Sequence, residues 1–206
     1  GIGDTWRSIT AREFYDEVHA LAAGLIARGL EPGDRVAIMS RTRYEWTLLD
    51  FACWAAGLVP VPIYETSSID QVAHVLVDAD VHLIITETVS MAEIVRAAAE
   101  REGRDNTHVL SLDSEAIETL IAEGSATPRE RVLARSEALT KDDIATIVYT
   151  SGTTGTPKGT VLSHENFTNL CLNAHAWMPE IAAGKDSRLL LFLPLAHVFA
   201  RFLQVF

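Results

Sequence analysis

Residues 35–63 read RVAIMSRTRYEWTLLDFACWAAGLVPVPI. Arg35 to Met39 is a short apolar run and reads as a buried strand. Tyr44 to Ala56 carries Trp46, Leu49, Phe51 and Trp54 and reads as a helix closed by Gly57. Val59 to Ile63 is a second strand. Pro60 and Pro62 cannot donate to a ladder, so this strand belongs at an edge or a strand end.

Upstream, Phe14, Val18, Leu21, Ala22 and Leu25 recur at helical spacing, and the helix ends near Gly29. Thr10 and Glu13 have capping-box spacing, with Ile9 and Phe14 placed as a hydrophobic staple. Pro32-Gly33-Asp34 predicts a turn. Downstream, Ser68 and Gln71 cap a helix reaching about Asp78, and His82 to Thr86 is a third strand. Helix Met91 to Arg101, strand His108 to Leu112 and helix Glu115 to Ala122 continue the alternation. Parallel neighbours need crossovers, and the crossovers cover the sheet. The fold class is therefore α/β, a mostly parallel sheet with helices on both faces.

Residues 123–140 are polar and read as a connector with one solvated helix, dividing a first part (about 1–122) from a last part (141–206). The last part predicts strand Ile144 to Tyr149, a loop from Thr150 to Lys158, strand Gly159 to Leu162, helix Glu165 to Trp177, and an apolar strand Arg188 to Leu193 leading into Pro194-Leu195-Ala196-His197. Ligands of open parallel sheets gather beyond strand ends, which draws attention to both loops.

With 206 residues, 48% of them apolar, the chain can bury a core. Its 28 acidic against 17 basic residues leave a formal charge of -11, which argues against a broad nucleic-acid contact. Cys53 and Cys171 lie in apolar helical patterns and read as reduced packing residues. No apolar run of spanning length and no basic leader occurs, so a cytoplasmic setting is expected. A first residue Gly1 and no helix stop before Phe206 lead us to expect a piece of a longer polypeptide.

The stretch YTSGTTGTPKG, 149–159, suits a polyphosphate. Gly152, Gly155 and Gly159 allow close backbone approach; Ser151, Thr153, Thr154 and Thr156 add hydroxyls; Lys158 adds a positive charge on a flexible stem. A surface turn of small polar residues would need neither Lys158 nor four hydroxyls. The Walker pattern fails twice, because Pro157 precedes the lysine and Gly159 follows it. The loop also runs from strand to strand, so a helix N-terminus is not the main cradle. His164 and Glu165 read as helix-start residues, and His19, His74, His82, His108 and His175 share no ligand-like spacing with a carboxylate or cysteine cluster.

With YTSGTTGTPKG, WAAGLVPVPIYE (54–65), Gly33 to Ser40 followed by Arg43 to Trp46, and LPLAHVF (193–199), the chain resembles the adenylate-forming, AMP-binding superfamily of acyl-CoA synthetases, luciferases and adenylation domains. PLAHVFARF, and RYEW paired with VPIYETSS, are most similar to bacterial long-chain fatty acyl-CoA ligases. The resemblance implies that the chain is part of the large N-terminal domain of such an enzyme, without the small C-terminal domain. It implies ATP, magnesium and coenzyme A as reactants and cofactor, a fatty acid as substrate, and a possible peripheral contact with a membrane.

By the same resemblance Tyr149, Thr150, Ser151, Gly152, Thr153, Thr154, Gly155, Thr156, Pro157, Lys158 and Gly159 bind the nucleotide. Thr153 meets the metal, with Thr154 second. Lys158 and His197 are the catalytic candidates, and His197 and Phe199 lie beside the acyl substrate. A fatty acyl-AMP ligase, an aryl-CoA ligase and a non-catalytic folding or interaction module remain open as alternatives.

Overall fold

A computed structural model describes residues 6–104, 106–150, 157–177 and 188–206. The chain opens with α1 (Ala11–Ala27), whose capping box is formed by Thr10 and Glu13. It continues through β1 (Arg35–Met39), α2 (Tyr44–Ala55), β2 (Val59–Ile63), α3 (Ile69–Asp78), β3 (Val81–Thr86), α4 (Val89–Arg101) and β4 (His108–Ser111). Ser68 and Gln71 form the second capping box, at the start of α3. A 3-10 turn leads to α5 (Ala116–Gly124) and α6 (Arg129–Ala138), then β5 (Ile144–Thr150), β6 (Lys158–Ser163), α7 (His164–Trp177) and α8 (Val198–Val205).

Four strands form a parallel sheet in the order β2-β1-β3-β4. The proline-bearing β2 is an edge strand, as its missing amide donors require. Alternate residues of β1 face opposite sides. Val36 and Ile38 join a cluster with α1, α2 and α5, whereas Ala37 and Met39 join one with α3 and α4. Between β1 and β3 the register steps from Arg35–Val81 to Val36–Leu83, so His82 is an extra residue in β3. Trp46 and Leu49 of α2 are fully buried on the first face. Each such side chain contributes about 1.5–3 kcal/mol by leaving water.

α1 and α5 touch backbone to backbone. A Cβ on Gly24 would overlap the Leu120 carbonyl, and one on Gly124 would overlap the Gly24 amide. Only glycine allows this approach.

Two sequence expectations are corrected. The polar stretch 123–140 holds the one expected helix, α6, largely exposed, but Glu123 and Gly124 end α5, and α6 docks on the body. Val132 is buried, and the Arg135 guanidinium donates to the carbonyls of Leu30 (2.7 Å) and Ala56 (3.3 Å), just beyond the ends of α1 and α2. Helix C-termini leave such carbonyls free, so one arginine anchors an otherwise polar helix.

Arg188 to Leu193 forms no strand. No strand among the described residues offers it a ladder, and Leu189, Leu190 and Phe192 stay exposed while Leu191 and Leu193 pack on the core. An apolar run becomes a strand only where a neighbour pairs with it.

β5 and β6 form a separate antiparallel pair, from Ile144–Ser163 to Thr150–Lys158. The predicted strand-to-strand course of the phosphate-type loop is thus observed, with α7 following β6 directly.

Candidate active site

The stems of the loop are Tyr149 and Thr150 on β5, and Pro157, Lys158 and Gly159 at the start of β6. Ser151, Gly152, Thr153, Thr154, Gly155 and Thr156 lie outside the described residues. Tyr149 pairs with Gly159 across the ladder, and a Cβ on Gly159 would stand 3.1 Å from the tyrosine ring and 2.9 Å from Ile147 Cγ2. The missing side chain at Gly159 therefore makes room for the ring. Lys158 is exposed, and no carboxylate among the described residues pairs with it.

The Tyr149 hydroxyl donates to Asp78 Oδ2 at 2.6 Å. Burial, reinforced by this carboxylate, pushes the phenol above its ordinary pKa, so it stays protonated. His74, one turn earlier on α3, places its ring edge-on to Tyr149 with centroids 5.7 Å apart, and its Nε2 is 2.7 Å from the Pro157 carbonyl oxygen.

The segment LPLAHVF is fixed beyond the C-terminal end of β1. Thr42 Oγ1 donates to the Leu193 carbonyl (2.7 Å) and accepts from the Leu195 amide (3.1 Å). His197 is the exposed N-cap of α8, and its Nδ1 accepts the Phe199 amide at 3.3 Å. An Nδ1 engaged as acceptor puts the proton of the neutral ring on Nε2. Phe199 is half exposed beside it.

One turn into α8, Arg201 is fully buried and bonds Asp50 of α2 through two nitrogens, Nη2 (2.6 Å) and Nε (3.2 Å). Its third nitrogen donates to Thr146 Oγ1 of β5 at 2.5 Å. Trp46, Trp54 and Phe167 each lie with their ring centroid 5.6 Å from the guanidinium. Burial pushes the Asp50 carboxyl up, and Arg201 and the Gln204 amide oppose that push. No hydrogen bond or ring contact among the described residues joins His197 or Phe199 to the loop stems; Arg201 connects them indirectly, from α8 to β5.

A crevice lies where the strand order reverses, between the C-terminal ends of β1 and β3. Buried Glu87 closes it, accepting from the Arg41 amide (2.9 Å) and guanidinium and from Ser40 Oγ (3.3 Å). The Arg41 guanidinium holds Glu87 below the usual carboxylate range. A cavity of about 690 Å³ opens beside Arg41, Arg43 and Glu87, and none of the loop stems lines it.

The sequence pattern of the family described as "AMP-binding enzyme" matches residues 2–206. The chain belongs to the AMP-binding enzyme family. It is 43% identical over 205 residues to a protein named long-chain-fatty-acid–CoA ligase FadD15 of Mycobacterium bovis, covering 97% of this chain and 34% of that protein. It is 34% identical to the peroxisomal long chain acyl-CoA synthetase 7 of Arabidopsis thaliana, covering 96% of this chain and 29% of that one. Among solved structures, ATP-bound MatB from Rhodopseudomonas palustris superposes with a TM-score of 0.77 at 27% identity, over 97% of this chain and 38% of the other. A Mycobacterium tuberculosis fatty acyl CoA synthetase gives 0.75 at 28%, over 96% and 37%. The chain thus spans about a third of the length of these AMP-binding relatives.

Several residues around the candidate site escaped sequence reading: Thr42, His74, Asp78, Glu87 and the partners Asp50 and Arg201. The last pair left a signal. An acid in the apolar middle of α2 and a lone base in apolar α8 ask for each other, because neither is buried alone cheaply. His74 and Asp78 share one helix face by their spacing, which alone does not say what that face meets.

Proposed function

We propose that the protein carrying this chain activates a long-chain fatty acid with ATP and passes it to coenzyme A. A carboxylate oxygen attacks the α-phosphorus, the bond to the bridging oxygen breaks, and pyrophosphate leaves with the electron pair. The coenzyme A thiolate then attacks the acyl carbonyl, and AMP leaves. The observation that carries this reading is YTSGTTGTPKG, mounted on antiparallel stems, in a chain 43% identical to a long-chain-fatty-acid–CoA ligase.

The residues take these roles. Lys158, exposed at the mouth of the hairpin, meets the negative charge that grows on pyrophosphate. His197, protonated on Nε2, donates a hydrogen bond that orients the carboxylate or adenylate, and Phe199 lines the acyl entrance. Magnesium takes hard oxygen donors, and a hydroxyl such as that of Thr153 is of that kind. Bound to the polyphosphate, the ion would supply charge neutralisation. A long acyl chain partitions into bilayers, so peripheral contact with a cytoplasmic membrane surface goes with this substrate. No helix among the described residues is long and apolar enough to cross one.

The test is carboxylate-dependent exchange of pyrophosphate into ATP by the full-length protein across a panel of acids, followed by thioester formation with coenzyme A. Long-chain acids should support exchange, and Lys158→Ala should lower its rate by about 10²-fold. Exchange with aryl acids alone, or adenylate release without a coenzyme A requirement, would give the reaction to a different adenylating enzyme. Because it spans 34% of the length of the FadD15 ligase of Mycobacterium bovis, this 206-residue chain by itself should form no acyl-CoA.

A further inference from the structure

The two stems of the loop are tied to one helix. Tyr149 is the next-to-last residue of β5, and its hydroxyl is bonded to Asp78; Pro157 precedes β6, and its carbonyl is bonded to His74. His74 and Asp78 lie one turn apart on α3, and the opposite face of that helix packs Val72, Val75 and Leu76 into the core. α3 is itself restrained at its N-terminal end. Ser68 and Gln71 cap its start, and Arg101 of α4 pairs with Asp70.

The chemistry of each contact is specific. Pro157 has no amide hydrogen, so its carbonyl is its one hydrogen-bonding group, and His74 Nε2 must donate to it. Asp78 is the last residue of α3, where the helix dipole favours a cation. Helix stability alone would put lysine or arginine there. The carboxylate has instead a phenol to receive, 2.6 Å away, and the Tyr149 ring fills the space left by Gly159. The two ties share a ring contact, His74 against Tyr149, so they act as one clamp.

We propose that His74 and Asp78 are positioning residues for nucleotide handling, holding Tyr149 and Pro157 so that the adjoining Lys158 meets the polyphosphate in one geometry. This rests on the reaction proposed above. Neither residue touches the reacting atoms; they fix the two stems, Tyr149 on β5 and Pro157 ahead of β6. Misplacement of a preorganised donor set weakens nucleotide binding while leaving the acyl side unchanged.

The test uses the full-length protein and the exchange assay. His74→Ala and Asp78→Ala should each raise the KM for Mg-ATP about tenfold, with the KM for the fatty acid moving less than about twofold. His74→Gln keeps an N–H donor and Asp78→Asn keeps an oxygen acceptor, and both should recover most of the loss. Tyr149→Phe combined with Asp78→Ala should be no worse than either alone, because both remove the same bond. An unchanged KM for Mg-ATP, equal rises in both KM values, or conservative variants no better than alanine would overturn the proposal. If the unaltered protein shows no exchange with any acid, the reaction itself is wrong. In that case the clamp is read separately, from the coupling between Tyr149→Phe and Asp78→Ala in urea unfolding; additive effects would overturn it.

Discussion

The parallel half of the molecule and the hairpin half are stabilised in different ways. From α1 to α6, side chains of four strands and their helices fill two continuous clusters, one on each face of the sheet. From Ile144 onward the buried apolar residues among those described are fewer and smaller, with Phe167 and Phe202 the largest. Leu195 and Ala200 join the first cluster and Ile147 packs on the second, but named polar links supply much of this half's attachment: Arg201 to Asp50 and Thr146, Thr146 to the Pro60 carbonyl, Trp54 to the Ala145 carbonyl, and the two ties from α3. Apolar packing is non-directional and spreads the effect of a change, whereas a link between two polar groups is lost with either partner. The candidate chemistry is thus carried by the half whose attachment depends more on single residues.

The largest expected effect breaks that attachment. Arg201→Met leaves the Asp50 carboxylate buried without a counter-charge and should cost about 3–5 kcal/mol in urea unfolding. Adding Asp50→Leu should return much of the loss, since a packed apolar pair avoids the desolvation of both charges. A cost for Arg201→Met no larger than a surface substitution would erase the contrast between the halves.

In the parallel half the matching probe is steric. Gly124→Ala drives a methyl group into the Gly24 backbone and should cost about 1–3 kcal/mol. The same measurement checks it, and a neutral result would mean that α1 and α5 can part without loss. Smaller again is Ser68→Ala, which removes the acceptor of the α3 capping box. It should cost about 1 kcal/mol. Because α3 also bears the clamp, this variant sharpens the comparison: the thermal midpoint should fall slightly while the KM for Mg-ATP holds.

The smallest effect is a change of slope. Glu87 is held below its ordinary value of 4.5 by Arg41, so between the folded and unfolded values the unfolded chain binds more protons. Its stabilisation is present above about pH 4.5 and is lost as the pH falls through the lower folded value. Glu87→Gln should lower the thermal midpoint at neutral pH and flatten its decline in acid. An acid limb as steep as in the unaltered chain would remove Glu87 from that role.

Much of the parallel half was legible because its signals are local. Period and cap placed β1 and α2 within a residue of their observed ends, and two prolines marked β2 as an edge. The course of the loop between β5 and β6 was legible for the same reason. What escaped depends on partners distant in sequence. The polarity of α6 concealed a docked helix because its anchor is one guanidinium reaching the ends of two other helices. Arg188 to Leu193 has the composition of a strand, yet composition does not supply a neighbour. His74 looked like a histidine without ligands, and its partner is a carbonyl, which no side-chain pattern records.

The pairing of Asp50 with Arg201 also sets an order of events during synthesis. The two are 151 positions apart. At about 5–20 residues per second, Asp50 is made roughly 8–30 s before its counter-ion. Until then α2 carries an unneutralised acid on a face that must finally be dry, and Trp46 and Trp54 have no cation to cover. The parallel sheet can assemble in this interval, but the seam against β5 and α7 has to wait for α8. The Asp50 side of that seam is therefore neutralised only once α8 has been made, by a single arginine.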